Sequence, residues 1–196
     1  MSESERRSWD RRYATGEYRP RPQPAPFLEE WLDRIPAGRA LDVACGAGRN
    51  ALRLAEAGFD VEAVDISQAA LDMAAAEAAR RGVRLSFRQA DLDHLELDAG
   101  AYHLITVIRY RNRDLWPRLV EALAPDGWLL VEHHMTTTLD VDGPSTADFR
   151  LDPQELLSAC AGLRVVYYAE SIEPADREGD RYAIARVAAC KGDPGF

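Results

Sequence analysis

Three acidic residues stand where a chain of alternating elements would turn at its strand ends. The run Leu41-Asp42-Val43-Ala44-Cys45-Gly46-Ala47-Gly48-Arg49-Asn50 carries apolar residues into a glycine-spaced turn, with helix following at once. Such a turn brings backbone N–H groups and a helix N-terminus against a small ligand. Asp65 lies about twenty residues after Gly46, the spacing at which a carboxylate accepts hydrogen bonds from ribose hydroxyls. Asp91-Leu92 closes a third segment. Asp91 would accept from an adenine amino group while Leu92 and Ile66 pack on the ring faces. Taken singly, the glycines fit any tight turn, Asp65 a solvated strand end and Asp91 a helix cap. Their joint occurrence at three successive strand ends points to an adenosine-containing ligand.

The charge of Asp42 bears on which one. Gly46-Ala47-Gly48-Arg49-Asn50-Ala51 also fits the dinucleotide fingerprint, which aims a helix N-terminus at a diphosphate. A carboxylate about 4–6 Å from that diphosphate in a partly dry crevice costs on the order of a few kcal/mol. S-adenosyl-L-methionine carries an ammonium and a sulfonium, which Asp42 would attract directly or through water. A P-loop is excluded, since Lys191 is the only lysine and lies far from the turn.

The elements that position these residues follow from hydrophobic periodicity. Phe27–Ile35 reads as a helix, Ala40–Ala44 as a buried strand, and Gly48–Ala57 as a helix closed by Gly58. Phe59–Asp65 is a strand, and Ser67 caps a helix that reaches Arg81 and stops at Gly82. Val83, Leu85 and Phe87 alternate as a strand. Tyr102–Ile108 is a strand and Asp114–Leu123 a helix. Pro125-Asp126-Gly127 turns into the strand Trp128–Glu132. Asp152-Pro153 opens a helix to Ala161, and Leu163–Ala169 and Tyr182–Ala189 are the last strands. The final two have no helix between them, only a charged connection from Ser171 to Arg181, so the last strand must run antiparallel. The expected architecture is α/β: a doubly wound, mainly parallel seven-stranded sheet with the last strand reversed.

Residues 1–26 form a separate N-terminal piece. Arg6, Arg7, Arg11, Arg12, Arg19 and Arg21 alternate there with Trp9, Tyr13 and Tyr18. Pro20, Pro22, Pro24 and Pro26 then make an extended arm. A short helix plus this arm is expected to lie over the domain formed by 27–196. The arginines suggest RNA, but Glu3, Glu5, Asp10 and Glu17 dilute them and the net charge is −9. A small-molecule substrate is expected, with no nucleic acid. No apolar run approaches the ~20 residues of a membrane span, and no apolar leader precedes the charged start, so a cytoplasmic location without membrane contact is expected. Cys45, Cys160 and Cys190 are too scattered for a disulfide framework or a metal site, and all three read as reduced.

With these motifs the chain resembles the class I S-adenosylmethionine-dependent methyltransferases along almost its whole length. Leu41–Gly48 is similar to their first motif, Asp65 to the ribose-binding acid and Asp91-Leu92 to the adenine-binding pair. Ala124-Pro125-Asp126-Gly127-Trp128-Leu129 resembles their Pro-Gly-Gly turn, with an aspartate for the first glycine. Cys45-Gly46-Ala47-Gly48-Arg49-Asn50 and Trp9-Asp10-Arg11-Arg12-Tyr13 are most similar to small bacterial tellurite-resistance and thiopurine-methyltransferase-like enzymes. The resemblance implies a Rossmann-like methyltransferase fold and S-adenosyl-L-methionine as cofactor, with S-adenosylhomocysteine as product. It implies cofactor-binding residues Tyr13, Asp42, Ala44, Cys45, Gly46, Gly48, Asp65, Ile66, Asp91, Leu92 and Ile108.

Methyl transfer from a sulfonium is an in-line displacement in which orientation contributes up to roughly 7–11 kcal/mol. A thiolate or metalloid oxyanion needs no base, whereas an oxygen or nitrogen nucleophile usually does. Base candidates are His133 and His134, of which at most one faces the site because neighbours on a strand point oppositely. Arg109, just past the fourth strand, is expected to hold an anionic substrate or to pair with a surface acid. Arg150 is a second candidate, within a Met135–Leu151 loop that would cover the substrate. A non-catalytic cofactor-binding protein and a nicotinamide-dependent oxidoreductase are the competing readings.

Overall fold

A computed structural model describes residues 3–174 and 181–195. The chain folds into β1 (Arg39–Val43), β2 (Asp60–Asp65), β3 (Ser86–Gln89), β4 (Tyr102–Ile108), β5 (Leu123–His134), β6 (Arg164–Pro174) and β7 (Arg181–Cys190). These make one sheet in the order β3-β2-β1-β4-β5-β7-β6. All pairings from β3 across to β5 are parallel, and β7 runs antiparallel to both β5 and β6. The chain winds one way from β1 and the other way from β4. Strand order therefore reverses between β1 and β4, and a crevice opens above their carboxyl ends.

Alternation along the strands builds a core on each face. Leu41, Val43, Ile105, Val107, Leu129 and Val131 belong to one buried cluster. Ala40, Ala63, Leu104, Leu130 and Ala188 belong to the other, with Phe27, Leu28 and Trp31 of α2 (Pro26–Leu32) and Ala51 and Leu54 of α3 (Arg49–Glu56). Coverage of both faces explains why the central strands read as continuous apolar runs.

Several boundaries differ from the sequence expectation. In α4 (Gln68–Arg81), Ser67 Oγ accepts the Ala70 N–H, and Gly82 at φ +70 closes the helix. Val83 N–H donates back to Ala78 C=O at 3.1 Å, so Val83 is spent on the helix end and β3 starts later, at Ser86. The expected helix Asp114–Leu123 divides into a 3₁₀ turn, Arg113–Leu115, and α5, Trp116–Ala122. Pro125-Asp126-Gly127 interrupts β5 rather than preceding it, with Asp126 left-handed at φ +60. Gly127 must be glycine there, because a Cβ would lie 2.8 Å from Tyr102 C=O. Pairing with β7, His133 with Ala185 and His134 with Ile184, puts both histidines inside β5 rather than beyond it. Gln154, left-handed at φ +63, delays the helix after Pro153, so α6 spans only Glu155–Ala159. Continued pairing with β7 carries β6 to Pro174, past the expected end at Ala169. The connection expected from Ser171 to Arg181 is thus partly strand, and its residues 175–180 lie outside the described residues.

The N-terminal helix α1 (Glu3–Ala14) packs on α4. Asp10 Oδ1 accepts from Ser67 Oγ–H at 2.8 Å and from Ala69 N–H at 3.2 Å, tying α1 to the first turn of α4. A carboxylate at that helix start is favourably placed toward the helix dipole.

Candidate active site

A cavity of about 610 Å³ lies over the carboxyl ends of β1, β2, β4 and β5, beneath residues of α1 and the arm. The turn after β1 forms its floor. Ala44 (φ +55), Gly46 (φ +55) and Gly48 (φ +82) are all left-handed, which coils the turn tightly before α3. Gly46 leaves room for the lid: a Cβ there would lie 2.6 Å from the Tyr13 hydroxyl oxygen. Tyr13 forms an aromatic cluster with Trp9 and Tyr18, and all three line the cavity.

Asp65 ends β2 at the cavity wall, 8% exposed. Its Oδ2 accepts the Gly46 N–H at 2.8 Å and its Oδ1 the Ser67 N–H at 2.9 Å. Burial raises its pKa, while these backbone donors pull it back. A carboxylate offers about four lone-pair sites, so acceptor capacity remains for hydroxyl groups in the cavity. Ile66, Leu92, Ala44, Cys45 and Ile108 line the same cavity. Cys45 is a free thiol on the wall, and burial drives its pKa up, which favours the neutral form.

Three of the expected cofactor residues are not on the cavity wall. Gly48 turns its Cα toward Ala74 of α4, where a Cβ would meet the Ala74 methyl at 2.8 Å. Asp91 accepts the Asp93 N–H at 3.0 Å and caps the 3₁₀ turn Leu92–His94. Asp42 is 1% exposed behind the turn, where Thr106 Oγ1–H donates to its Oδ1 at 2.7 Å. Its Oδ2 has no hydrogen-bond partner among the described residues. Burial lifts its pKa to about 6, against the Thr106 hydrogen bond. The reason is strand alternation: Asp42 lies on the face of Ala40, not on the tip of β1. Asp42 therefore does not line the cavity directly.

The other end of the cavity gathers Arg109, His134 and Tyr182. Arg109 Nη1–H donates to His134 Nε2 at 2.9 Å, and its Nε stands 3.1 Å from Glu132 Oε1. Its guanidinium carbon lies 5.3 Å from the Tyr182 ring centroid. Burial and the adjacent Arg109 charge lower the His134 pKa to about 3, so the ring is neutral at pH 7. His133 points the other way and bonds through Nε2 to the Phe149 carbonyl at 2.9 Å. Arg150 does not reach the cavity. It donates to the carbonyls of Pro144, Met135 and Asp142 and staples its own loop, which presents Asp142 and Gly143 to the cavity instead.

Sequence reasoning missed Arg21, Tyr182 and Asp142 as wall residues. Tyr182 had a readable signal. A reversed last strand beside the fifth begins where the fifth ends, and the register pairs His134 with Ile184.

Residues 40–127 match the family described as methyltransferase domain. A provisionally named methyltransferase of Geobacillus sp. (strain WCH70) is 35% identical over 113 residues, 53% of this chain and 45% of that protein. A ubiquinone biosynthesis O-methyltransferase of Bordetella avium (strain 197N) is 29% identical over 133 residues, 63% of this chain and 54% of that protein. The chain thus spans about half the length of the curated relatives it matches. Among solved structures, TehB from Haemophilus influenzae superposes with a TM-score of 0.74 at 20% identity, covering 92% of this chain and 66% of that one, a likeness of fold. The chain is thus similar to methyltransferases in the segment 40–127, and it shares the fold of TehB over most of its length.

Proposed function

We propose that the protein transfers a methyl group from S-adenosyl-L-methionine to a small-molecule acceptor. The observation that carries this reading is Asp65, seated at the crevice by Gly46 and Ser67 with acceptor capacity toward the cavity. In this reading Asp65 accepts from the ribose hydroxyls, Ile66 and Leu92 hold the adenine, and Ala44, Cys45, Gly46 and Ile108 wall the methionine portion. Tyr13 and Trp9 cover the site and keep water from it. Bound S-adenosyl-L-methionine supplies an electrophilic methyl on a positively charged sulfur. One relative is named for ubiquinone biosynthesis, which fits a small organic acceptor here.

The test is methyl transfer from S-adenosyl-L-methionine labelled in its methyl group, assayed on small thiols, phenols, amines and carboxylic acids. Label in an acceptor supports the reading. Tight cofactor binding with no labelled product across that set supports a non-catalytic binding protein instead.

A further inference from the structure

Resting on that reading, we infer that the far end of the cavity is a subsite for an organic anion whose charge is met by Arg109, and that His134 is the positioning residue aiming this guanidinium rather than a general base.

Arg109 has its backbone in the left-handed region, at φ +64. For a residue with a side chain this costs roughly 1–3 kcal/mol and persists only where the surroundings impose it. The Arg109 N–H donates to Glu132 C=O at 2.8 Å, which locks the bend at the tip of β4. The side chain is then fixed by three different neighbours: His134 Nε2, the Glu132 carboxylate and the Tyr182 ring. Glu132 is 2% exposed and shared, since its other oxygen pairs with Arg186 at 2.6 Å. One buried carboxylate therefore serves two guanidiniums, and Arg186 takes a second acid, Glu173, for itself.

A guanidinium has five N–H donors. Arg109 lines the cavity while spending one donor on His134 and placing its Nε against Glu132. Arg21 and Arg49 line the same cavity. Burial lowers the pKa of Arg49 and of Arg109, the latter against its Glu132 partner; the Arg21 charge lowers both further, and the Arg49 charge adds to the effect on Arg109. Like charges gathered in a partly buried space are the arrangement that an anion relieves. Tyr182, with Arg109 at 5.3 Å and Arg21 at 5.7 Å from its ring centroid, offers an aromatic wall for a planar organic body.

The sheet order places this subsite opposite the adenosine end. Asp65 stands on β2 and Arg109 at the tip of β4, with β1 and its turn between them. An anion at Arg109 is therefore separated from the ribose site by the stretch where the methyl donor would lie. His134 serves the subsite through Arg109. Guanidinium only donates, so His134 Nε2 must accept, and the ring proton sits on Nδ1. The lone pair that a base would use is committed to Arg109. Nδ1 stands beside Gly143, where a Cβ would come within 2.7 Å.

The experiment uses protein saturated with S-adenosylhomocysteine, with thermal unfolding followed as probes are added. The probes are benzoate and phenylacetate, with benzamide and benzylamine as neutral and cationic counterparts. The acids are expected to raise the midpoint further in a dose-dependent way, and the amide and amine to leave it unmoved. Arg109→Gln is expected to abolish the acid response while keeping the S-adenosylhomocysteine shift, which also reports that the variant is folded. His134→Gln, which keeps an acceptor, is expected to retain the acid response, and His134→Phe to weaken acid affinity at least tenfold. Equal responses to benzoate and benzamide, no response to either acid, or an acid response surviving in Arg109→Gln would each overturn the inference. So would Arg109→Gln losing S-adenosylhomocysteine but keeping 5′-methylthioadenosine, because Arg109 would then hold the cofactor's carboxylate. Wild-type protein that ignores S-adenosylhomocysteine defeats the underlying methyltransferase reading instead, so the two failures are distinct.

Discussion

The Asp65 carboxylate accepts the Gly46 N–H at 2.8 Å and so ties the tip of β2 to the turn that follows β1. The bond orients an acceptor and a backbone turn together before any ligand arrives. Preorganisation of this kind reduces the ordering cost of binding.

Replacing Asp65 with alanine removes that tie and the expected ribose acceptor. Affinity for S-adenosylhomocysteine, measured by calorimetry, is expected to fall at least tenfold, the equivalent of about 1.4 kcal/mol. Circular dichroism should show the fold retained. An unaltered affinity in a folded variant would place the ribose elsewhere.

Thr106→Val tests the buried Asp42. The hydroxyl donates to a charged acceptor, and losing such a bond costs about 1.5–3 kcal/mol. Asp42 has its folded pKa raised from 3.8 to about 6, so the folded state binds an extra proton between those values. Its contribution is therefore most unfavourable above pH 6 and is relieved as pH falls. Denaturant unfolding should show a larger loss for Thr106→Val at pH 7.5 than at pH 5. An equal loss at both would mean that Asp42 is not ionised at pH 7.5.

His133 carries the opposite pH dependence. Burial depresses its folded pKa from 6.5 to about 4, so the unfolded chain takes up its proton first. The stability tied to the neutral ring is present above pH 6.5 and lost as pH falls toward 4. His133→Gln keeps an N–H for the Phe149 carbonyl without titrating. Its unfolding midpoint should fall less steeply between pH 6.5 and 4 than that of the wild type. Parallel curves would refute the assignment.

Gly48→Ala separates the turn's backbone from the ligand wall. The position is at φ +82 and its Cβ would press on Ala74, so a stability loss of roughly 1–3 kcal/mol is expected from strain and overpacking. Chemical denaturation reads this directly. A neutral substitution would show that the turn can relax into another conformation.

Glu132→Ala leaves the buried ends of Arg109 and Arg186 without their shared counter-charge. Removing one partner of a buried ion pair costs about 3–5 kcal/mol, so the variant should be markedly less stable by urea titration. A loss below about 1 kcal/mol, the range of an exposed pair, would mean that water solvates the pair.

The central sheet was legible because buried parallel strands read as apolar runs and the capping signals at Ser67 and Gly82 are local. The reversed last strand followed from the absence of any helix-forming stretch before Tyr182. The burial of Asp42 was not legible, because closeness in sequence to Gly46 says nothing about which side of β1 it occupies. Its pairing with Thr106 is a long-range fact set by the register of β1 with β4. Arg21 reaches the cavity only because the proline arm crosses the sheet, and no local pattern encodes that path. The left-handed bend at Arg109 is likewise invisible in sequence, since a non-glycine residue takes it only under tertiary constraint.

The central claim is that this crevice takes a methyl-donor nucleoside and not a dinucleotide. Isothermal titration of the protein with S-adenosylhomocysteine and, separately, NADH tests it most directly. The account predicts saturable binding of S-adenosylhomocysteine, weakened by Asp65→Ala, and no measurable heat from NADH. Saturable binding of NADH with none of S-adenosylhomocysteine would contradict it.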